Sequence, residues 1–315
     1  MIGRRSILLE PREVPLGGVR AMNVLRTLPN RDIPTVGAWC FLDRFGPDEV
    51  RMRVEPHPHI GLQTVTWPLV GEQRHRDSEE NDVTLRRGQL NLMTAGDGIS
   101  HSEYSLGDGP APLDALQFWV VLPESARHGG PGFEQHTSLP AVTLPAASGE
   151  DATATVVLGE FAGVRSPATV YTPIVGAEIA LAAGSRVTLP LDAAWEHAVV
   201  LVDGDVAVAV DAEDDERMLS HNDMLYLGDS RTSVTVSSEA GALIFVLGGE
   251  PFEEDLVMWW NFAARTHDEI AQARSDWETP DASAARFGRV VNHGDERIPA
   301  PELPHVTLKP RRRHI

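Results

Sequence analysis

Short apolar-rich segments dominate the chain: LQTVTW at 62–67, LQFWVVL at 116–122, VAVAV at 206–210 and LIFVL at 243–247. Successive side chains of a strand point to opposite faces, so period-two runs of β-branched and aromatic residues between Gly, Pro, Asp and Asn predict many short antiparallel strands. The expected fold class is all-β, a sandwich or barrel. A helical period enters only in RTHDEIAQARSDW at 265–277, where Thr266 and Glu269 have capping-box spacing and Ile270 opens an apolar face. One short C-terminal helix is expected there. The segments ETPDASAARFGRVV and IPAPELPHVTLKP that follow are rich in Pro and polar residues, and predict an irregular strap over the surface or a partly disordered tail.

The pattern also repeats. PLVGEQRHRDSEENDVTLRRGQLNLMTAG at 68–96 aligns with VLVDGDVAVAVDAEDDERMLSHNDMLYLGDS at 200–230: an apolar pair, a Gly turn at Gly71 or Gly204, a strand, an acidic loop, a turn and a second strand. The distance to the second turn is 17 residues, to Gly88, in one copy and 18, to Asn222, in the other. Two copies of one β-barrel unit explain this economically. The connector HTSLPAVTLPAASGEDA at 136–152 is poor in large apolar side chains, which divides the chain into residues 1–145 and 146–315.

The candidate chemistry lies in the first unit. In EPHPHIGLQTVTW, His57 and His59 are two residues apart on an extended segment and so project to one side. Alone, the pair reads more simply as two solvated imidazoles in a surface loop. In TAGDGISHSEYS, His101 and Glu103 repeat the spacing after a Gly-rich turn, and if the two segments are barrel neighbours the four side chains converge. Three imidazoles and a carboxylate suit a divalent iron, manganese, nickel, copper or zinc ion, with room for water or substrate. Counting from the Gly turns, the second copy has Pro190 and Asp192 opposite the first pair and Thr235 and Ser237 opposite the second. A metal in the first copy would have no counterpart in the second.

Other residues carry two readings each. His75 and Asp77 in RHRDS could hydrogen-bond to the ligands and orient them, or could end a solvated strand. Gln117 and Trp119 alternate with Leu116 and Phe118, so one pair faces the barrel interior, where Gln117 could line a pocket. Trp259 and Trp260 are expected to bury against the second barrel or the helix. Glu196 and His197 are adjacent, face opposite sides of a strand, and read as structural.

Composition narrows the function classes. The 315 residues can bury a sizeable core. Against 27 Lys and Arg stand 46 Asp and Glu, a formal charge of −19, which argues against nucleic acid as a direct partner. The basic run Arg311 to Arg313 reads as a solvated tail. Cys40 is the single cysteine, so neither an intrachain disulfide nor a thiolate cluster can form, and a cytoplasmic location is expected. The start MIGRRSILLEPREV is interrupted by Glu10 and Arg12 well short of a signal-peptide core, and no run approaches the roughly 20 apolar residues of a membrane span.

HPHIGLQTV followed by GQLNLMTAGDGISHSE resembles the pirin family, bicupins of the cupin superfamily. GAWCFLDRFGP before the site, LQFWVVLP after it and GGEPFEEDLVMWWNF near the C-terminus extend the resemblance over most of the chain. It implies two tandem cupin β-barrels, the first (1–145) binding metal and the second (146–315) without ligands but carrying the helix and tail. It places the metal ligands on His57, His59, His101 and Glu103 and makes iron, Fe(2+), the family metal. It implies quercetin 2,3-dioxygenase-type activity on a flavonol or enediol-like small molecule, with Glu103 as the base; the alternative is an iron- and redox-responsive regulator that binds a protein partner. A zinc-dependent sugar binder or isomerase fits these motifs less well. Two positions depart from the family: Gln63 stands where many pirins keep a Glu, so that segment offers no carboxylate and Gln63 is expected to line the pocket or back the ligands instead, and Asp97 stands where Arg is frequent, which reverses the charge near His101 and weakens any partner surface that needs the Arg.

Overall fold

The computed structural model describes residues 6–16, 22–210 and 216–311. Arg4 and Arg5, the acidic loop of the second repeat at 211–215, and Arg312 and Arg313 lie outside the described residues.

The alternating segments form two β-barrels, each built of a large and a small antiparallel sheet. In the first, a seven-stranded sheet has Leu62–Val70 and Ala111–Val121 at its centre, and a four-stranded sheet carries Arg53–His59, Ile99–Ser105, Glu72–Asp77 and Asp82–Arg86 in that order. In the second, an eight-stranded sheet pairs with a five-stranded one around an apolar core that includes Val156, Val187, Leu189, Val208, Val234 and Val236.

The two large sheets pack face to face. Along Leu62–Val70 the period of two sends Val65 and Trp67 to the inter-barrel cluster with Trp39, Phe118 and Phe245, while Thr64 and Thr66 look into the first barrel. Several polar groups caught in this interface are matched across it. The Trp39 indole donates to the Val175 carbonyl at 3.1 Å, the Trp67 indole donates to Glu178 at 2.7 Å, and Glu178 also accepts from Arg87. Glu196, read as structural, accepts from the Gly37 amide across the same interface at 2.8 Å.

Strand pairing crosses the expected 145/146 division in both directions. Ile7–Leu9 joins Met224–Gly228 of the second barrel, and Ala141–Leu144 pairs with Ala152–Phe161. The C-terminal segment, assigned to the second unit, packs instead on the first: Ile60 bridges to Phe262, and the Ile298 amide donates to the Pro56 carbonyl at 2.9 Å. Gly61, in the left-handed region with φ 68°, permits this docking, because a Cβ there would overlap the Ala263 carbonyl oxygen.

Helix α1 (His267–Glu278) begins at Thr266 with both halves of the capping box present. A second helix, α2 (Pro280–Arg286), occupies sequence expected to be irregular. Its proline stands at the first helical position, where a missing N–H costs nothing, and Ala282, Ala284 and Ala285 favour helix beyond it. The expected single helix is therefore a pair. From 288 to 311 the chain is the predicted strap, and at its end the Arg311 amide donates to the Leu256 carbonyl at 3.0 Å.

The internal repeat is real but its register differs from the count made on the Gly turns. In the first barrel, one row across the small sheet reads His57, His101, Asp77; in the second, the matching row reads Leu189, Val234, Val210. Glu103 pairs with His75 in the first barrel and Val236 with Val208 in the second. Pro190, Thr235 and Ser237 are each one residue off, and a one-residue slip moves a side chain to the opposite face. The correct counterparts are apolar, with no ligand atom to offer a metal.

Candidate metal centre

The Arg53–His59 and Ile99–Ser105 strands are antiparallel neighbours, with His57 opposite His101 and His59 opposite Ile99. Alternation turns His57, His59, His101 and Glu103 to the inside, and all four are nearly fully buried. One nitrogen from each of His57, His59 and His101 lies within 4.8 Å of the other two. Glu103 lines the same cavity but is not in that mutually close set.

The outer nitrogens fix how the rings point. His57 Nδ1 donates to the Glu55 carbonyl at 2.9 Å and His59 Nδ1 to the Asn261 carbonyl at 3.1 Å, which leaves both Nε2 lone pairs facing inward. His101 Nδ1 lies 3.4 Å from His75 Nδ1, and His75 Nε2 lies 3.0 Å from Asp77. With His75 donating to Asp77 and accepting from His101, His101 Nε2 is also bare. His59 Nε2 and His101 Nε2 then face each other at 3.1 Å. Two nitrogens each about 2.1 Å from one ion, at right angles, stand about 3.0 Å apart, so the spacing and the facing lone pairs fit a cation between them. The donors suit a divalent transition metal; they do not select one.

Burial governs the charges. Desolvation pushes the His57 imidazole down to about 4, with the Glu55 carbonyl opposing, and holds His59 and His101 well below the usual imidazole range. It pushes the Glu103 carboxyl up to about 7, against a hydrogen bond from the Thr66 side chain. At pH 6 the three imidazoles are therefore neutral and Glu103 holds its proton in the metal-free protein. If Glu103 becomes a ligand, metal binding at pH 6 should release about one proton, all of it from Glu103. Calorimetry in two buffers of different ionisation enthalpy measures this; the Glu103→Gln protein should release almost none.

His75 and Asp77 both turn inward behind His101, as the orienting role requires. His75 also stacks on Phe133, with centroids 4.6 Å apart and planes at 16°. His75→Phe should keep that stacking and the fold yet lose the hydrogen bond to His101, lowering metal affinity roughly 10- to 100-fold in a chelator competition.

The cavity above the triad has a volume of about 250 Å³. Gln117 and Trp119 line it, whereas Leu116 and Phe118 face the second barrel. Phe41 stacks on Trp119 at 3.9 Å to form an apolar wall, and Arg26 lies 4.4 Å over Phe41 while forking onto Asp43. Gln63 is a correction: it sits on the outer face of its strand, donating to Thr94 at 2.9 Å and to the Thr169 carbonyl at 3.2 Å, and takes no part in the pocket. Trp260 is another. It lines this cavity, and so does Asn261, whose carbonyl holds His59. Both lie some two hundred residues along the chain from the histidines, a distance at which no spacing signal exists. Asp97 does not leave a bare negative charge, since Arg286 of α2 pairs with it at 3.2 Å.

Glu55, His293 and Glu296 form a second close set of possible ligand atoms, on the strap side and more exposed. A larger hollow of about 870 Å³ opens beside Trp195 and His197 in the second barrel. Among the described residues it gathers no such set, so the chemistry is assigned to the smaller cavity. No helix of the described residues is long and apolar enough to cross a membrane.

Residues 18–120 match the family Pirin, and residues 176–282 match the Pirin C-terminal cupin domain. A Pseudomonas aeruginosa protein provisionally named a quercetin 2,3-dioxygenase is 39% identical over 93% of this chain and 89% of its own length. A pirin-like protein of Caulobacter vibrioides is 33% identical over 94% of this chain and 99% of its own. Among solved structures, a quercetin 2,3-dioxygenase from Acinetobacter baumannii superposes with a TM-score of 0.86 at 34% identity, covering 96% of each chain.

Proposed function

Because this chain belongs to the pirin family and folds as two tandem cupin barrels, we propose that it is a metal-dependent oxygenase of the quercetin 2,3-dioxygenase type, acting on a flavonol or enediol-like small molecule with Fe(2+) as its metal. The observation that carries the reading is the convergence of three bare imidazole nitrogens at the floor of a cavity that stays open to a small molecule on its other side. A closed structural site would have no such opening. His57, His59 and His101 hold the ion, and Glu103 is the fourth ligand and the base. When bound, the metal supplies Lewis-acid activation of the substrate oxygens and a path for electrons between substrate and O2.

The chain's own residues do the rest. Glu103, buried beside the triad, accepts the proton of the substrate hydroxyl. The Phe41 and Trp119 wall takes up a flat ring and keeps water from it, and His75 with Asp77 holds the His101 ring in place. The test is metal analysis of anaerobically purified protein followed by O2 consumption with quercetin. Iron at about one ion per chain and flavonol-dependent O2 uptake are expected. An iron-loaded protein that consumes no O2 with any flavonol would overturn the oxygenase reading and favour an iron-responsive protein that acts by binding a partner.

A further inference from the structure

Gln117, on the inner face of the first barrel, has an amide oxygen that its neighbours leave uncommitted. Gln117 lies on Ala111–Val121 between Asp43 on one side and Thr66 on the other, 4% exposed, and lines the histidine cavity. Its Oε1 is buried and has no hydrogen-bond partner among the described residues. The side chains paired with it across the sheet are already engaged. Asp43 is an acceptor held by Arg26 at 2.7 Å through both oxygens. Glu103 takes the Thr66 hydroxyl. The histidine nitrogens that do not bond to the protein converge on one another. A buried carbonyl oxygen without a donor is costly, and a ligand hydroxyl placed in the cavity would supply one.

We propose that Gln117 is a specificity-determining residue, its Oε1 accepting a hydrogen bond from a hydroxyl of a flat aromatic ligand that lies along the Phe41 and Trp119 wall. The inference rests on the oxygenase reading and adds to it which group selects the substrate. A site built to hydrogen-bond a hydroxyl rejects an analogue that lacks it, because the buried acceptor is then left unmade. Trp119 and Trp260 line the same cavity, so binding can be followed by tryptophan fluorescence without turnover.

The experiment compares quercetin with 3-hydroxyflavone, which keeps the 3-hydroxyl and 4-oxo pair but lacks the other hydroxyls. Dissociation constants are measured on metal-free and iron-loaded protein, for wild type, Gln117→Leu and Gln117→Glu. Wild type should prefer quercetin. In Gln117→Leu that preference should fall by roughly fivefold to 150-fold, mostly through weaker quercetin binding, while 3-hydroxyflavone changes little. Gln117→Glu retains an acceptor and should retain the preference. If Gln117→Leu fails to give the wild-type circular dichroism spectrum, Gln117→Met removes the amide with a more adaptable side chain. An unchanged preference in the folded apolar variant would overturn the role of Gln117 and leave the oxygenase reading intact. Wild-type protein that binds neither compound would overturn both.

Discussion

His101→Ala is expected to strip the metal from the first barrel and leave the barrel standing. His101 is central in the small sheet, facing His57 on one side and Asp77 on the other, and is fully buried. Removing it takes away one inward nitrogen together with the ring that the chain through His75 to Asp77 holds in place. The loss of affinity should exceed the roughly 10- to 100-fold expected for an outer partner. His57→Ala and His59→Ala should act alike. The fold should persist, because the inter-barrel cluster around Trp39, Trp67, Phe118 and Phe245 and the apolar core of the second barrel need no ion. Thr235→Ala and Ser237→Ala, on the outer side of the second barrel's small sheet, should leave metal content unchanged. Metal content and far-ultraviolet circular dichroism measured on each variant decide the matter; full metal occupancy in all the histidine variants would sink the site assignment.

Glu103→Gln is expected to separate ligation from catalysis. The amide keeps an oxygen of similar shape but loses the charge and nearly all the basicity. Metal should be retained in large part, since the three histidines form the close set by themselves. Flavonol oxidation should fall by on the order of 10²-fold or more, the usual worth of a positioned base. A protein that acts by binding a partner has no need of that base, and its partner affinity should follow metal content alone. Unchanged oxidation by an iron-loaded Glu103→Gln protein would remove Glu103 from the mechanism.

Several parts of this molecule were legible in the linear chain because they depend on local periodicity. The period of two gave the strands, and the spacing of Thr266 and Glu269 gave the capped start of α1. The i, i+2 spacing of His57 and His59, and of His101 and Glu103, placed each pair on one face. The proline at the head of α2 concealed a helix, because the residue that breaks helices inside also begins them.

What the sequence by itself determined was therefore two β-barrels in tandem and the donor pairs that point inward in the first. Only the tertiary structure decided the rest. Pairing between strands set the true register of the repeat, and a shift of one residue exchanged Thr235 and Ser237 for the apolar Val234 and Val236. Packing of the large sheets sent Gln63 out of the pocket and Gln117 into it, though both are polar residues on alternating strands. The hairpin of Val257–Trp259 and Phe262–Ala264 folded back onto the first barrel and brought Trp260 and the Asn261 carbonyl to the histidines. Alternation along a strand is a local property that spacing records. Which face becomes the inside, and which distant segment closes over it, is fixed by burial summed over the whole chain, and no short stretch of sequence contains that sum.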